Sequence, residues 1–306
     1  MMLIAIDHGN KQIKTAHQTF SSGLCESDTR PPFGENILRY NGKYYTLSDQ
    51  RIPYMRDKTT DERFFILTLF AIALELRYLR YPANDTVDIA LAIGLPPAHY
   101  GTQYKRFEQY FLERGVTEYH LDGKSYRICI HKAVCFPQAY AAVMPVYPRI
   151  QQLSKVIVVD IGGFTADYLL IKNGQADLSV CDSLENGVIT LYNRIKSKVN
   201  ADYDMLLDES DIDVILQDKP HDYEETVVRL VKEQAQQFVD DLFGKLRERM
   251  IDLRTGKTIF AGGGSILLRR QIEASGKVGS TIFVNEIAAN SKGYELLYRA
   301  SQVGVR

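Results

Sequence analysis

The sequence has few cysteines and none in a CxxC pair. The four that occur, Cys25, Cys129, Cys135 and Cys181, lie far apart in a chain of 306 residues. This pattern is typical of reduced thiols and argues against a cysteine metal site. We therefore expect a cytoplasmic protein.

An excess of charge of one sign is also missing. Lysine and arginine total 37, aspartate and glutamate 38, and the formal net charge is −1. A chain so balanced has no overall electrostatic attraction to DNA, RNA or anionic lipid. We expect no direct binding of nucleic acid, although a local basic patch stays possible.

Long apolar runs are absent as well. The N-terminus, MMLIAIDHGNK, has neither the basic nor the apolar region of a signal peptide. The most apolar stretch, 63–81, holds 11 uncharged residues between Arg63 and Glu75, whereas a membrane span needs about 20. It indicates a buried core helix, and no membrane association is expected.

The chain contains no GxGxxG and no GxxxxGK[ST]. The signatures of the Rossmann fold and of the P-loop are therefore both missing. A nucleotide site, if there is one, must use another arrangement.

The hydrophobic pattern nevertheless predicts an α/β fold, because strands and helices interleave. With 45% hydrophobic residues the chain can bury the cores of two domains. Asn41-Gly42 between apolar runs predicts a hairpin. In 222–251, apolar residues recur at helical spacing. Strands are expected near 2–6, 87–96, 117–131, 156–171, 257–265 and 281–285, and helices near 61–80, 100–114, 187–199, 208–217, 222–251 and from 288.

Two segments share one plan, in which an apolar strand ends in aspartate, glycine follows, and a second strand returns. They read IAIDHGNKQIKTA (4–16) and VVDIGGFTADYLLI (158–171). Glycine lets backbone N–H groups approach phosphate oxygens, and an aspartate can hold the hydrated Mg²⁺ of a nucleotide. Lys14 can reach the phosphates, and Asn10 and Thr165 can donate hydrogen bonds. The alternative is a pair of ordinary hairpin turns, but the repetition favours a site.

Two further segments could complete such a site. FAGGGS (260–265) is a strand that ends in three glycines and enters a helix, which permits close approach of a ligand; a flexible turn is the alternative. In FPQAYAAV (136–143) the proline predicts a helix start with Gln138 in its first turn. A glutamine there could orient an attacking water, or it could simply face solvent.

These four segments, in this order, resemble the motifs of the superfamily of actin, heat-shock chaperones and sugar kinases. GLPPAHYG (94–101), the form DxGGxTxD, and AANSKGYELL (288–297) resemble most closely the bacterial plasmid-segregating actins of the ParM and StbA type. The resemblance implies an actin-like ATPase fold in which two RNase H-like domains flank a nucleotide cleft. The implied domains are 1–150, with an inserted subdomain at about 20–60 and a C-terminal helix at about 290–306 that packs back on it, and 151–290, with a helical insertion at about 190–255.

The resemblance also implies roles for individual residues. Asp7 and Asp160 would hold Mg²⁺ through water, Gln138 would hold the catalytic water, and Asp167 would be linked to hydrolysis. At the Gln138 position actin also has glutamine, whereas ParM has an acidic residue. Nucleotide contacts are implied for Gly9, Asn10, Lys11, Lys14, Gly162, Gly163, Thr165, Glu185, Asn186, Gly187, Lys196, Gly262, Gly263, Gly264 and Ser265.

The resemblance favours an ATPase that polymerises into polar filaments, with a DNA-bound adaptor protein as partner. GTP could replace ATP. The alternative is a small-molecule kinase of the same superfamily, whose base would be one of Asp28, Asp49, Asp57 or Asp61. The chain is too short for a chaperone with its substrate domain, and it lacks the membrane-binding N-terminus expected of an MreB-like filament.

Overall fold

The computed structural model describes residues 1–82 and 86–303. They fold into two compact units. One comprises Met1–Pro145 with Ala288–Arg306, and the other comprises Val146–Ile287. Each unit has its own sheet and its own hydrophobic core.

The first unit is built on a nine-stranded sheet. Its strands are Met2–His8 (β1), Gln12–Lys14 (β2), Thr19–Ser21 (β3), Leu24–Ser27 (β4), Leu38–Tyr40 (β5), Lys43–Leu47 (β6), Val87–Leu95 (β7), Val116–Leu121 (β8) and Lys124–Pro137 (β9). Their order in the sheet is β3-β2-β1-β7-β9-β8-β5-β6-β4. Strand β1 is antiparallel to β2 and parallel to β7, which is in turn parallel to β9. Two long helices, Arg63–Tyr78 (α1) and Pro97–Leu112 (α2), belong to the same unit.

The predicted hairpin at Asn41-Gly42 is confirmed. Both residues have positive φ, 50° and 81°, as a two-residue type I′ turn requires.

The core helix predicted at 61–80 is confirmed as α1. It is buried without a break from Phe64 to Leu76, because a helix that is apolar all round must be covered all round. Within the described ranges, no helix is both long and apolar enough to span a bilayer.

The second unit is built on a five-stranded sheet. Its strands are Lys155–Ile161 (β10), Ala166–Lys172 (β11), Gln175–Leu184 (β12), Lys257–Ala261 (β13) and Ser280–Phe283 (β14). Their order in the sheet is β12-β11-β10-β13-β14. Its helices are Val188–Tyr203 (α3), Glu209–Leu216 (α4), Glu225–Glu248 (α5), Gly262–Leu267 (α6) and Arg269–Ala274 (α7). The apolar stripe predicted for 222–251 is buried along α5, from Val227 to Leu246.

The predicted internal duplication is present in the topology. In the second unit, β10 is antiparallel to β11 and parallel to β13, which is parallel to β14. The β1 strand has the same arrangement of neighbours in β2, β7 and β9. The two aspartate–glycine loops therefore occupy equivalent positions, each at the end of a strand that pairs antiparallel with the next strand and parallel with a later one.

The C-terminal helix, Ala289–Val303 (α8), belongs to the first unit. It packs very closely on the segment that follows β9: a Cβ on Gly293 would lie 1.8 Å from the carbonyl oxygen of Ala141. The fully buried Tyr294 fills the space beside Gly94, where a Cβ would lie 2.1 Å from its hydroxyl. The last three residues of the helix predicted at about 290–306 lie outside the described residues.

Candidate functional site

The first aspartate–glycine loop joins β1 to β2. Asp7, only 4% exposed, lies opposite Lys14 in the strand register, so the carboxylate and the ammonium group are on the same face of the sheet. A Cβ on Gly9 would lie 2.6 Å from the carbonyl oxygen of Gln12. Glycine is therefore required for the turn itself. Asn10 and Lys11, at its tip, are half-buried.

Gln138 contacts this loop directly. Its side-chain amide donates a hydrogen bond of 2.9 Å to Oδ1 of Asp7, and both groups are buried. The predicted helical position of Gln138 is wrong: β9 continues to Pro137, and a 3₁₀ helix begins only at Ala141. The backbone N–H of Gln138 still bonds to the carbonyl of Leu95 on β7 (2.8 Å), so the sheet ladder extends through this residue and delays the helix.

The backbone conformation of Ala139 turns the chain away from the sheet immediately after Gln138. Its φ is +62°, a left-handed value that a residue with a Cβ adopts only at a cost. Its N–H donates to the side-chain oxygen of Asn290 on α8 (3.2 Å). The start of α8 therefore stabilises the strained turn that orients Gln138 toward Asp7.

Lys58 binds the backbone at the start of this loop, a role that the sequence did not predict. It is buried to 5% exposure and donates a hydrogen bond to the carbonyl oxygen of His8, next to Gly9. Its ammonium group lies 5.3 Å from the centre of the Phe64 ring, a cation–π contact. A buried lysine thus places positive charge next to the first aspartate–glycine loop.

His8 anchors the same loop in the apolar core. Its ring packs against Phe107 and Phe111, and Nε2 lies 2.8 Å from the hydroxyl of Thr68. That hydroxyl donates its proton to the carbonyl of Phe64, so it accepts from Nε2–H and defines the tautomer. Burial, with Lys58 as the second cause, lowers the pKa of His8 to about 3. The ring is therefore neutral at physiological pH.

The second aspartate–glycine loop joins β10 to β11. Asp160 is flanked in the sheet by Asp167 on β11 and by Ala261 on β13. Both carboxylates are only 4% exposed, so two acidic groups lie side by side at the end of buried strands. The loop is closed by a hydrogen bond of 2.8 Å from the N–H of Gly162 to the carbonyl of Thr165.

Helix α3 docks on this loop through its first residues. The N–H groups of Val188 and Ile189 donate to the carbonyls of Gly162 and Gly163, at 3.1 and 2.8 Å. A Cβ on Gly187 would lie 2.3 Å from the carbonyl oxygen of Gly163. Gly187 is therefore explained by close packing, and the helix start is occupied by the loop that it supports.

The three glycines of FAGGGS form the first turn of α6. Gly262 has φ +82°, and a Cβ there would lie 2.1 Å from Oδ1 of Asp160. A Cβ on Gly264 would contact Ile161 and Val188 at 2.5 and 2.7 Å, whereas a Cβ on Gly263 would meet no atom within 4 Å. Two of the glycines are thus required by protein packing, and Gly263 borders open space.

Four further residues are predicted to contact the nucleotide: Glu185, Asn186, Lys196 and Ser265. Glu185 is exposed, and the side-chain oxygen of Asn186 accepts a hydrogen bond from Lys245 (2.8 Å). Lys196 lies two turns into α3, where it helps to lower the pKa of Asp208. Ser265 is fully buried in α6, and its hydroxyl has no hydrogen-bond partner among the described residues. Glu185 and Asn186 lie between Leu184, which pairs with Ala166 in the sheet, and Gly187, whose N–H donates to the carbonyl of Phe164 (2.8 Å).

The residues fit a magnesium nucleotide better than a metal held by protein alone. In the described ranges, no group of three or more histidine, cysteine, aspartate or glutamate side chains could hold a metal. Mg²⁺ needs only one or two carboxylates when waters and phosphates supply the other ligands. Each aspartate–glycine loop carries a buried carboxylate of this kind, Asp7 in the first unit and Asp160, beside Asp167, in the second. The space beside Gly263 leaves room for a flat group.

Comparison with known proteins assigns both halves of the chain to actin-like families. The model of the N-terminal domain of actin-like proteins matches residues 5–140. The model of the archaeal MreB-like actin homologue, C-terminal part, matches residues 158–274. Each match contains one of the aspartate–glycine loops. Among curated proteins, none matches the chain with significance.

Solved structures match along the whole chain. The archaeal actin homologue Ta0583, in its complex with ADP, aligns with 18% identity and a TM-score of 0.73 over 98% of this chain and all of its own. The ParM protein of a 15-stranded filament from Clostridium botulinum aligns with 16% identity and a TM-score of 0.76, over 97% and 99% of the two chains. ParM of Bacillus thuringiensis with AMPPNP aligns with 14% identity and a TM-score of 0.70, over 99% of each. The predicted fold is confirmed: the chain has the fold of the actin-like proteins, and each half matches an actin-like family model.

Proposed function

We propose that the chain binds ATP with Mg²⁺ through its two aspartate–glycine loops, hydrolyses it, and polymerises into polar filaments. The observation that carries the proposal is the duplicated strand–loop–strand unit, in which each loop follows a buried aspartate. Two such loops would enclose the phosphates through backbone N–H groups. The ADP and AMPPNP complexes of structurally similar proteins support an adenine nucleotide.

Individual residues would divide the work. Asp7 and Asp160 would hold the hydrated Mg²⁺, which supplies charge neutralisation on the phosphates when bound. Lys14 would contact the phosphates from β2. The amide of Gln138 is oriented by Asp7, and its carbonyl oxygen would accept a hydrogen bond from the attacking water and align it. Asp167, beside Asp160, would accept a hydrogen bond from the same water or from the metal's hydration shell.

Polymerisation is proposed from the fold and from the filament structures among the similar proteins. Repeated head-to-tail contacts that do not close generate helical polymers. We propose that nucleotide binding permits assembly and that hydrolysis destabilises the filament. A cytoplasmic role in DNA segregation would then need an adaptor protein that links the filament to DNA, since the net charge of −1 provides no attraction of its own.

The kinase alternative gains no support from two of its four proposed bases, Asp57 and Asp61. Asp57 caps the 3₁₀ helix at Lys58–Thr60 and pairs with Arg106 at 2.7 Å. Asp61 pairs with Arg63, and that contact lowers the pKa of the Asp61 carboxyl. A general base for a sugar hydroxyl needs a pKa near neutrality, so a lowered pKa is in the wrong direction.

The proposal is tested by ATP turnover and sedimentation with two variants. Asp160→Asn should abolish Mg²⁺-dependent turnover and the thermal stabilisation by ATP, because it removes a carboxylate for the metal. Gln138→Ala should slow hydrolysis by about 100-fold, a usual contribution of a positioned catalytic group, while the affinity for ATP stays within a few-fold. Its filaments should therefore persist longer.

The matched control is Asp222→Asn, an exposed aspartate remote in sequence from both loops. It should behave as wild type in each assay. Wild-type turnover in both Asp160→Asn and Gln138→Ala would place the active site elsewhere. Sugar-stimulated release of ADP without sedimentable polymer would favour the kinase instead.

A further inference from the structure

A cavity of about 270 Å³ opens at the C-terminal end of α5 in the second unit. Its floor is apolar, formed by Phe243, Ile251 and Leu253, and Gly244 leaves one wall without a side chain. An apolar cavity of about 150 Å³ already holds a benzene-sized group. This cavity therefore has room for a leucine side chain.

The rim of the cavity is basic. Arg247, Arg254 and Lys277 line it. Arg254 pairs with Asp252 and Lys277 with Asp240, at 3.3 and 2.7 Å, and these two aspartates offset only part of the charge. Segment 245–254 carries Lys245, Arg247, Arg249 and Arg254 against Glu248 and Asp252, whereas the whole chain is slightly acidic.

An exposed methionine lies directly beside this rim. Met250 is 90% exposed and has φ +62°. A residue with a Cβ adopts this left-handed conformation at a cost. An apolar side chain displayed on a strained turn next to an apolar cavity is typical of a protein contact surface.

The loop between α3 and α4 has the complementary properties. Leu206 is 85% exposed at its centre. Asp204, which ends α3 with φ +52°, and Asp208, which caps α4, are exposed on either side of it. Hydrogen bonds from Ser210 and Asp211 lower the pKa of Asp208, so its carboxylate stays ionised. Segment 202–213 contains no basic residue and six acidic ones, Asp202, Asp204, Asp208, Glu209, Asp211 and Asp213.

The loop and the cavity lie at opposite ends of one helix. Tyr203, at the end of α3, donates to the carbonyl of Thr226 in the first turn of α5 (3.4 Å). Phe243 is 17 residues further along the same helix, about 26 Å at 1.5 Å per residue. Leu206 therefore cannot fill the cavity of its own chain.

We propose that the acidic Leu206 loop of one copy docks in the basic cavity of the next copy. Leu206 fills the apolar floor, and the flanking aspartates face Arg247, Arg254 and Lys277. Complementary charge sets the orientation of such a contact. Because the two surfaces are different, the contact is head-to-tail, and it builds the proposed open polymer when the rotation between copies does not close a ring. The inference rests on the proposed polymerisation and specifies which surfaces meet.

The experiment uses Leu206→Asp and Arg247→Glu in the full chain, followed by analytical ultracentrifugation with ATP. Each variant alone should raise the critical concentration for assembly at least 10-fold, with unchanged affinity for ATP. Mixed in equal amounts, they should form a 1:1 dimer, because one variant keeps the loop and the other keeps the cavity. Leu178→Asp is the matched control, since Leu178 is another exposed leucine of the same unit, at 62%, and it should assemble as wild type.

The outcomes separate this inference from the proposed function. If wild type and Leu206→Asp assemble equally well, the docking surface is wrong and polymerisation stands. If the two variants fail alone and their mixture forms no dimer, the pairing of loop with cavity is wrong. If wild type forms no polymer with ATP, AMPPNP or GTP, the proposed function fails, and this inference fails with it.

Discussion

At the scale of the residue, the glycine triplet of α6 shows that neighbouring positions can be glycine for different physical reasons. Gly262 is required because its φ is +82° and because the carboxylate of Asp160 occupies the position of its Cβ. Gly263 meets neither condition. No protein atom explains its lack of a side chain, and the proposed nucleotide would pass over this residue.

We therefore predict opposite results for two alanine substitutions. Gly262→Ala should destabilise the free protein by about 1–3 kcal/mol, because of strain at positive φ and displacement of Asp160. Gly263→Ala should leave the free energy of unfolding unchanged or raise it by up to about 1 kcal/mol, since alanine favours a helix, and should weaken ATP binding. Urea unfolding and nucleotide titration measure the two effects. Unweakened binding in Gly263→Ala would mean that the nucleotide does not pass over this residue.

At the scale of the element, the loop between β1 and β2 is held by two buried polar side chains, His8 and Lys58. His8 fixes it to the core through Thr68, and Lys58 binds the carbonyl of His8. Both supports are buried and polar, so each must keep its partner to be tolerated. This arrangement gives the loop a rigid backbone before any ligand arrives.

Burial of His8 predicts a pH dependence of stability. The unfolded chain protonates His8 below about pH 6.5, whereas the folded pKa is about 3. The folded state is therefore fully stable above pH 6.5 and loses stability as the pH falls toward 3. Between pH 7 and pH 5 the loss due to this residue should be about 2 kcal/mol.

Urea unfolding at several pH values checks this prediction. His8→Gln should remove most of the slope between pH 7 and pH 5, whatever it does to stability at pH 7. Lys58→Met should leave this slope nearly unchanged and reduce the further loss between pH 5 and pH 3, because Lys58 is the second cause of the lowered pKa and its removal raises the folded pKa. An unchanged slope in His8→Gln would show that another group titrates. Lys43→Met, at the surface, is the control.

At the scale of the whole molecule, charge balance limits the partners. With a net charge of −1 and a pI near 6.6, the chain has no field that would hold it to DNA. We predict no binding of duplex DNA at 150 mM salt, with or without ATP, in fluorescence anisotropy titrations. Salt-sensitive binding with a micromolar dissociation constant would instead reveal a local basic surface, and Arg247→Glu would show whether it is the rim of the α5 cavity.

Much of the architecture could be predicted from local sequence. The helix α1, the hairpin at Asn41-Gly42 and the apolar face of α5 follow from periodicity and turn chemistry, which act over a few residues. The aspartate–glycine loops could be recognised because they occur twice. The position of Gln138 could not, since a hydrogen bond to Leu95 on a distant strand extends β9 past the proline.

The sequence by itself therefore determined the α/β class, the duplicated loops and their aspartates, because strand ends and tight turns are encoded locally. Only the tertiary structure decided which groups meet at the first loop. Lys58 and Gln138 reach it from segments far apart in the chain, and Asn290 binds the turn after Gln138; no local pattern encodes such contacts. Burial on folding also made His8 a neutral anchor and Gly187 a packing residue, because desolvation and close approach exist only when the elements are packed.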